Sequence, residues 1–189
     1  AYEEVFAVIA LGLAWAQSSP APARVTKSSI SALRSKMGCA PLRSLMERAC
    51  TPLASAKEHP AAFYAGLRLM AIDGSNVEIP DEPDNARHFG YPGSRTGHAG
   101  YPQAQCAVLV ECATHAIIDA NIGPYRASEW EVCQPPLKSL KPGMLCLADR
   151  GFNGYRHWQE ARQTGADLLW RCAQNRQLPV VKSLEDGSY

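Results

Sequence analysis

The chain has 189 residues, is 46% hydrophobic and 20% charged, and carries a formal net charge of +1. These values exclude a disordered, collagen-like or uniformly basic chain, and they fit one ordinary globular domain or one domain plus a small second unit. Charge is unevenly spread: residues 1–70 hold 8 Lys/Arg against 4 Asp/Glu, residues 71–125 hold 2 against 7, and residues 126–189 hold 9 against 7.

Residues 1–17 read as a helix, broken by the two prolines of Ser18 to Ala23. Its uncharged stretch, Val5 to Ala16, resembles a signal peptide, but Glu3 and Glu4 place acid where a signal needs base, and 12 residues are too few to cross a bilayer. A buried helix is expected there instead. Thr26 to Met37 reads as a second helix, capped by Thr26 or Ser28 and stopped by Gly38. Pro41 to Cys50 reads as a third. From Arg24 to Arg48 there are six Lys/Arg and a single acid, Glu47. Short helices with a basic side bearing Arg34, Lys36, Arg43 and Arg48 suit a DNA-binding arm, and a plain helical unit with a solvated charged face accounts for the same pattern. Residues 1–50 are therefore read as a small all-α N-terminal domain, and residues 51–66 as a linker with a short helix over Ala61 to Gly66.

From Leu67 the pattern turns to strands. Leu67 to Ile72 is one, running into Asp73-Gly74, with Val77 and Ile79 continuing beyond. Pro80 to Pro102 is read as loop from its Gly, Pro, Asn and Asp content. Gln103 to Cys112 and Ala116 to Ile122 form a hairpin around Thr114-His115. Ser128 to Leu140 is a helix interrupted by Pro135-Pro136. Met144 to Ala148 is an apolar strand ending at Asp149, Asn153 to Gln163 a helix stopped by Gly165, and Ala166 to Cys172 a strand. Leu178 to Leu184 reads as one more. Three strands followed by helix, strand, helix, strand make an α/β fold with a mixed sheet flanked by helices, the order of a ribonuclease H-like core, here over residues 67–177. Seven cysteines with no C-x-x-C spacing read as buried thiols of a reducing compartment rather than a zinc site.

Two segments carry chemistry: Leu69-Met70-Ala71-Ile72-Asp73-Gly74-Ser75 and Leu145-Cys146-Leu147-Ala148-Asp149-Arg150-Gly151-Phe152. Each reads as an apolar strand ending in an aspartate. Two acids at the ends of neighbouring strands repel each other unless a cation lies between them. Oxygen donors favour Mg²⁺ or Mn²⁺, and a metal pair can clamp the attacking and leaving oxygens of a phosphodiester. A turn residue at Asp73 and a helix cap at Asp149 are the structural alternatives. Arg150 serves either a phosphate or a salt bridge. His88, His98 and His115 lack ligand spacing and read as loop and turn residues.

At these residues the chain resembles the DDE transposases of bacterial insertion sequences, in the insertion-sequence-four-like branch. The matching words are Phe63 to Ser75, Asn85-Ala86-Arg87-His88-Phe89-Gly90, Ile122-Gly123-Pro124-Tyr125, Leu147-Ala148-Asp149-Arg150-Gly151-Phe152 and Gly165 to Arg171. The resemblance implies that Asp73 and Asp149 are the first two catalytic and metal-binding acids and that Mg²⁺ or Mn²⁺ is the cofactor. It implies cut-and-paste transposition acting on double-stranded DNA (element ends and target), with a homodimer in the synaptic complex. It further implies a β-rich insertion beginning near residue 178, and a bacterial cytoplasmic, nucleoid-associated location. The family's third acid, a glutamate in a Tyr-x-x-Arg-x-x-x-Glu-x-x-x-x-x-x-Lys motif, has no counterpart in the 189 residues. Both ends read as cut, and without that third acid the chain as given is expected to be inactive alone. A catalytically dead DNA-binding remnant and a nuclease that cuts without joining are the competing readings.

Overall fold

The computed structural model describes residues 26–94, 97–98, 100–152, 154–176 and 179–188. The helix expected over residues 1–17 lies outside them. The chain divides into two compact units, Ala1–Ala49 and Cys50–Tyr189.

In the first unit, α1 spans Lys27–Met37 and α2 spans Ala40–Ala49. Thr26 caps α1 by accepting from the Ser29 backbone N–H, which satisfies one of the donors left open at a helix start. Gly38 ends it with φ 63° and donates its N–H to the Arg34 carbonyl. Arg34 and Lys36 lie in the last turn of α1 and Arg48 in that of α2, where cations oppose the negative end of the helix dipole. Neither helix has a buried side chain, and Leu33, Met37, Leu42 and Leu45 are exposed.

The second unit is built on one sheet. It opens with β1 (Phe63–Tyr64) and β2 (Leu67–Glu78). Helix α3 (Pro83–Phe89) and a separate pair of short strands, β3 (Gly93–Ser94) and β4 (Gly97–His98), follow. The sheet resumes with β5 (Gln103–Glu111) and β6 (Ile117–Pro124). Helix α4 (Glu129–Leu137) makes the crossover to β7 (Met144–Ala148), and α5 (Tyr155–Arg162) makes the one to β8 (Asp167–Trp170). The strand order is β6-β5-β2-β7-β8, with β1 folded antiparallel onto the start of β2. β2, β5 and β6 are successive antiparallel neighbours, and β7 and β8 add in parallel on the other side of β2. Three antiparallel strands followed by two parallel ones on the far side of the first is the ribonuclease H-like arrangement.

The core lies between α4 and the sheet. Met70, Ile72, Ala107, Leu109 and Cys146 meet Val132, Cys133 and Leu137 there, and Phe152 closes it beside Trp170. A second anchor ties residues 53–54 to the sheet. Glu111, fully buried, accepts from the backbone N–H groups of Leu53 and Ala54, from the Thr114 hydroxyl and from the Arg68 guanidinium. Arg68 also donates to the Ala54 carbonyl and lies over the Phe63 ring. Burial alone would raise the Glu111 pKa, but these donors together hold it below the usual carboxylate value.

Five local expectations are corrected. Ala61 to Gly66 is not a helix: a 3-10 turn, Pro60–Ala62, leads into β1, and Ala65 and Gly66, with φ of 49° and 81°, make the positive-φ turn of a tight hairpin. Pro80 to Pro102 is not all loop, because Pro83 starts α3, Gly90 ends it, and β3 pairs with β4. The two prolines do not interrupt α4: they fall in its last turn, and the helix starts from a full capping box of Ser128 and Glu131. Residues 179–184 form no strand. Not every cysteine is buried: none is in a disulfide, Cys133 and Cys146 are buried, and Cys39 and Cys172 are exposed.

Candidate active site

β2 does not end at Asp73. It continues to Glu78, still paired with β5, while its pairing with β7 stops at Ala71↔Leu147. Beyond that point the β7 side of β2 is an open notch. Backbone polarity aims groups into it. The Arg68 N–H bonds to Gly143 on the β7 side, and the Leu69 carbonyl accepts from Cys112 on the β5 side. Successive residues of a strand alternate in this respect, so the Gly74 N–H points into the notch. It is taken by Asp73 Oδ1 at 2.8 Å, which turns that carboxylate toward the same space.

Asp149 follows β7 directly, at the mouth of the notch. Its Oδ1 accepts from the Gly151 N–H at 2.7 Å, folding the Asp149-Arg150-Gly151 turn on itself. The turn is held from behind by aromatic packing. Phe152 meets Trp170 edge-on at 5.9 Å, Trp158 meets Trp170 at 5.4 Å, and His157 stacks on Trp130 of α4 at 3.9 Å. Both aspartates are exposed.

A third carboxylate, which the sequence reading did not single out, joins them. Glu129 is the first residue of α4. A Cβ placed on Gly151 would lie 2.7 Å from Glu129 Oε2 and 2.9 Å from Asp149 Oδ1. One placed on Gly74 would lie 3.2 Å from Glu129 Oε1. Glycine at both positions leaves room for the acid to reach in. Burial, then the charge of Asp149, then that of Asp73, raise the Glu129 pKa above its ordinary value. The neighbouring Cys133 thiol is pushed up to about 12 by burial and by Glu129 and Asp73, so it is an inert thiol at neutral pH.

Strand direction accounts for the place of Glu129. β6 and β7 both run in the direction of β2, so all three reach the same end of the sheet. A helix starting just after β6 therefore opens beside Asp73 and Asp149. The Ser-x-x-Glu capping box at Ser128 marks that start.

The other expected site residues each have a definite place in their own unit. Arg150 opens a 3-10 turn next to Asp149 and is exposed. Arg34, Lys36, Arg43 and Arg48 are exposed on α1 and α2 in the first unit. His88 lies in α3 and His115 in the β5–β6 turn with φ 56°.

A family model described as the transposase DDE domain matches residues 64–183, well over half of the chain. The chain belongs to the DDE transposase family. Among curated proteins it is similar to InsG, the transposase for insertion sequence element IS4 of Escherichia coli strain K12, at 27% identity over 158 residues covering 75% of this chain and 34% of InsG. It is also similar to InsZ of the same organism, at 24% identity over 147 residues covering 77% of this chain and 49% of InsZ. The chain thus spans about half the length of InsZ and a third of InsG. A solved piggyBac transposase synaptic complex with hairpin DNA superposes with a TM-score of 0.42 at 13% identity, covering 82% of this chain and 32% of that one.

Proposed function

We propose that this DDE transposase chain binds Mg²⁺ or Mn²⁺ with Asp73, Asp149 and Glu129, and that it contributes metal-dependent phosphodiester hydrolysis and strand transfer to cut-and-paste DNA transposition. The observation that carries this reading is the convergence of three carboxylates from three separate elements on one notch. Among the described residues, none of the three has an ion-pair partner to offset its charge.

The donor set fits such an ion. Carboxylate oxygens are the hard ligands that Mg²⁺ and Mn²⁺ prefer. No three His, Cys, Asp or Glu among the described residues already stand at ligating separation. Two of the acids are turned to backbone N–H groups, Asp73 to Gly74 and Asp149 to Gly151. The charges of Asp149 and Asp73 already raise the Glu129 pKa, and a cation placed among the three would relieve that repulsion. The metal, when bound, polarises the phosphodiester and acidifies the attacking water.

The protein groups have separable tasks. Asp73 and Asp149 would hold the cation at the sheet end, and the cation would supply the positive charge that a phosphate needs there. Glu129, holding its proton more tightly than an ordinary carboxylate, accepts a proton or joins the ligand set once the site's charge is neutralised. Arg150, beside Asp149, contacts a phosphate of the bound strand. Arg34, Lys36, Arg43 and Arg48 bind phosphates of double-stranded DNA at element ends and target, and two copies of the chain hold two ends together.

Thermal unfolding with and without Mn²⁺ tests the site. A bound ion raises the unfolding temperature by an amount set by its affinity and concentration. Wild-type protein should be stabilised, and Asp149→Ala should not be. Equal stabilisation of both would overturn the assignment. Nicking of supercoiled plasmid reports hydrolysis, and covalent capture of a labelled oligonucleotide reports strand transfer. Nicking without capture would make the protein a nuclease.

A further inference from the structure

A second recess lies where β6 ends and the chain leads into α4. Its volume is about 520 Å³, and α3, the β3–β4 pair and the β6–α4 connection form its walls. Two backbone hydrogen bonds build it: the Tyr125 N–H donates to the Phe89 carbonyl at 2.9 Å, and the Gln103 N–H donates to the Gly90 carbonyl at 3.0 Å. Among the described residues its lining includes Arg87, His88 and Arg126, the rings of Phe89, Tyr91 and Tyr125, and three glycines; no carboxylate lines it, although the Tyr91 hydroxyl donates to Asp81. Arg126 has no ion-pair partner among the described residues. Arg87 pairs with Asp84, one turn away at 3.2 Å and almost fully exposed, the kind of surface pair that exchanges readily for a phosphate. Phe89 and Tyr125 are half-buried, so each ring is fixed in place while part of it stays accessible.

We infer that this recess binds a single DNA strand, with phosphates on Arg87 and Arg126 and a base or deoxyribose against Tyr125 and Phe89. The inference rests on the DNA reading above and adds where the strand runs. Cations that follow a backbone, interleaved with aromatic rings, are the features that bind single strands without sequence preference. Glycines in the wall let the sugar–phosphate chain approach the protein backbone. Asp81, Glu82 and Asp84 lie at the N-terminal end of α3 and just before it; Asp84 touches the lining through Arg87 and Asp81 through the Tyr91 hydroxyl, so a strand that binds displaces the first and leaves the second on its tyrosine. Arg126 stands three residues before Glu129, so a strand held here is led to the carboxylate notch along a short stretch of chain.

The test is fluorescence anisotropy with labelled single-stranded and duplex 20-mers across a salt series, on the chain as it exists. Arg87→Ala with Arg126→Ala should weaken single-strand binding about tenfold at low salt and flatten the log–log salt slope by about 1.4, near 0.7 for each phosphate no longer neutralised. Tyr125→Ala should weaken it about tenfold with no change of slope, because stacking releases no counterions. Unchanged affinity and slope in the Arg87→Ala/Arg126→Ala protein would overturn the inference while leaving the DNA reading intact. Equal losses on duplex and single strand would overturn the single-strand assignment. A wild-type protein that binds neither probe would overturn the DNA reading itself. Arg87→Lys with Arg126→Lys should recover most of the affinity, and the Mn²⁺ stabilisation should be the same in all these variants. If lysine recovers nothing while unfolding temperatures fall, the arginines are structural and the inference fails.

Discussion

Glu129 Oε2 and Asp149 Oδ1 both come within 3 Å of a single point, the place a Cβ on Gly151 would occupy, although one acid opens a helix and the other leaves a strand. The point can be filled by mutation without disturbing the turn, because Gly151 does not have the positive φ that would strain another residue. Gly151→Ala should keep the fold and push the two carboxylates apart. The expected result is a loss of Mn²⁺ affinity of about 10–100-fold, the range seen when groups that orient metal ligands are altered. Calorimetric titration against wild type measures it, and an unchanged affinity would remove Gly151 from the site.

Glu129 gives a pH signature. Its folded pKa lies above its unfolded one, so the folded chain holds this proton more tightly. Its contribution to stability is full below the unfolded value and is lost as pH rises through the folded value. Glu129→Gln should therefore raise the unfolding temperature of metal-free protein at neutral pH, with the advantage fading as pH falls toward about 4. The same change should reduce stabilisation by Mn²⁺. A variant less stable than wild type at neutral pH would contradict the repulsion described above.

Glu111 has the opposite sign. Its donors hold it below the usual carboxylate range, so it stabilises the fold at neutral pH, and that stability is lost as pH falls through its folded value. Arg68→Met leaves the buried carboxylate without its cation and should cost about 3–5 kcal/mol. Urea unfolding measures the loss. A cost under about 1 kcal/mol would mean the pair behaves like an exposed one.

The Ser128 cap places Glu129. Its hydroxyl accepts from the Glu131 N–H, and the Glu131 carboxylate accepts from the Ser128 N–H at 2.8 Å. Ser128→Ala should cost about 1 kcal/mol and fray the first turn of α4. Loss of Mn²⁺ affinity beyond what Ser128→Thr shows would tie the cap to the site.

Much of this architecture was legible in the sequence, because hydrophobic period and strand endings are local. β7 matches its expected bounds, Met144 to Ala148, since a five-residue apolar run between Gly143 and Asp149 allows little else. The β5–β6 hairpin followed from its turn. Two kinds of feature were not legible. Asp73 reads as a strand end because Gly74 follows it, yet β5 supplies partners through Glu78 and carries the strand on. Glu129 reads as an ordinary first-turn acid. Only the direction of β6 relative to β7 gives it a role, and strand direction is a property of pairing rather than of any one segment. The same holds for Pro80 to Pro102, where composition signals loop but the Pro83 start and Gly90 stop enclose two turns of helix.

The notch exists because two adjacent strands have different lengths, and that makes the site a matter of counting. Cys146 is held in the core against Met70, so the three steps from Cys146 to Asp149 act as a ruler whose zero is fixed. One residue inserted between them would advance the carboxylate by about 3.3 Å and turn the following residue to the opposite face. That step exceeds the whole metal–oxygen distance of about 2.1 Å. The loops around the sheet can change length at little cost, but this short span cannot. The chain's tolerance to insertion should therefore fall to its minimum at the one stretch where no side chain but the last does chemistry.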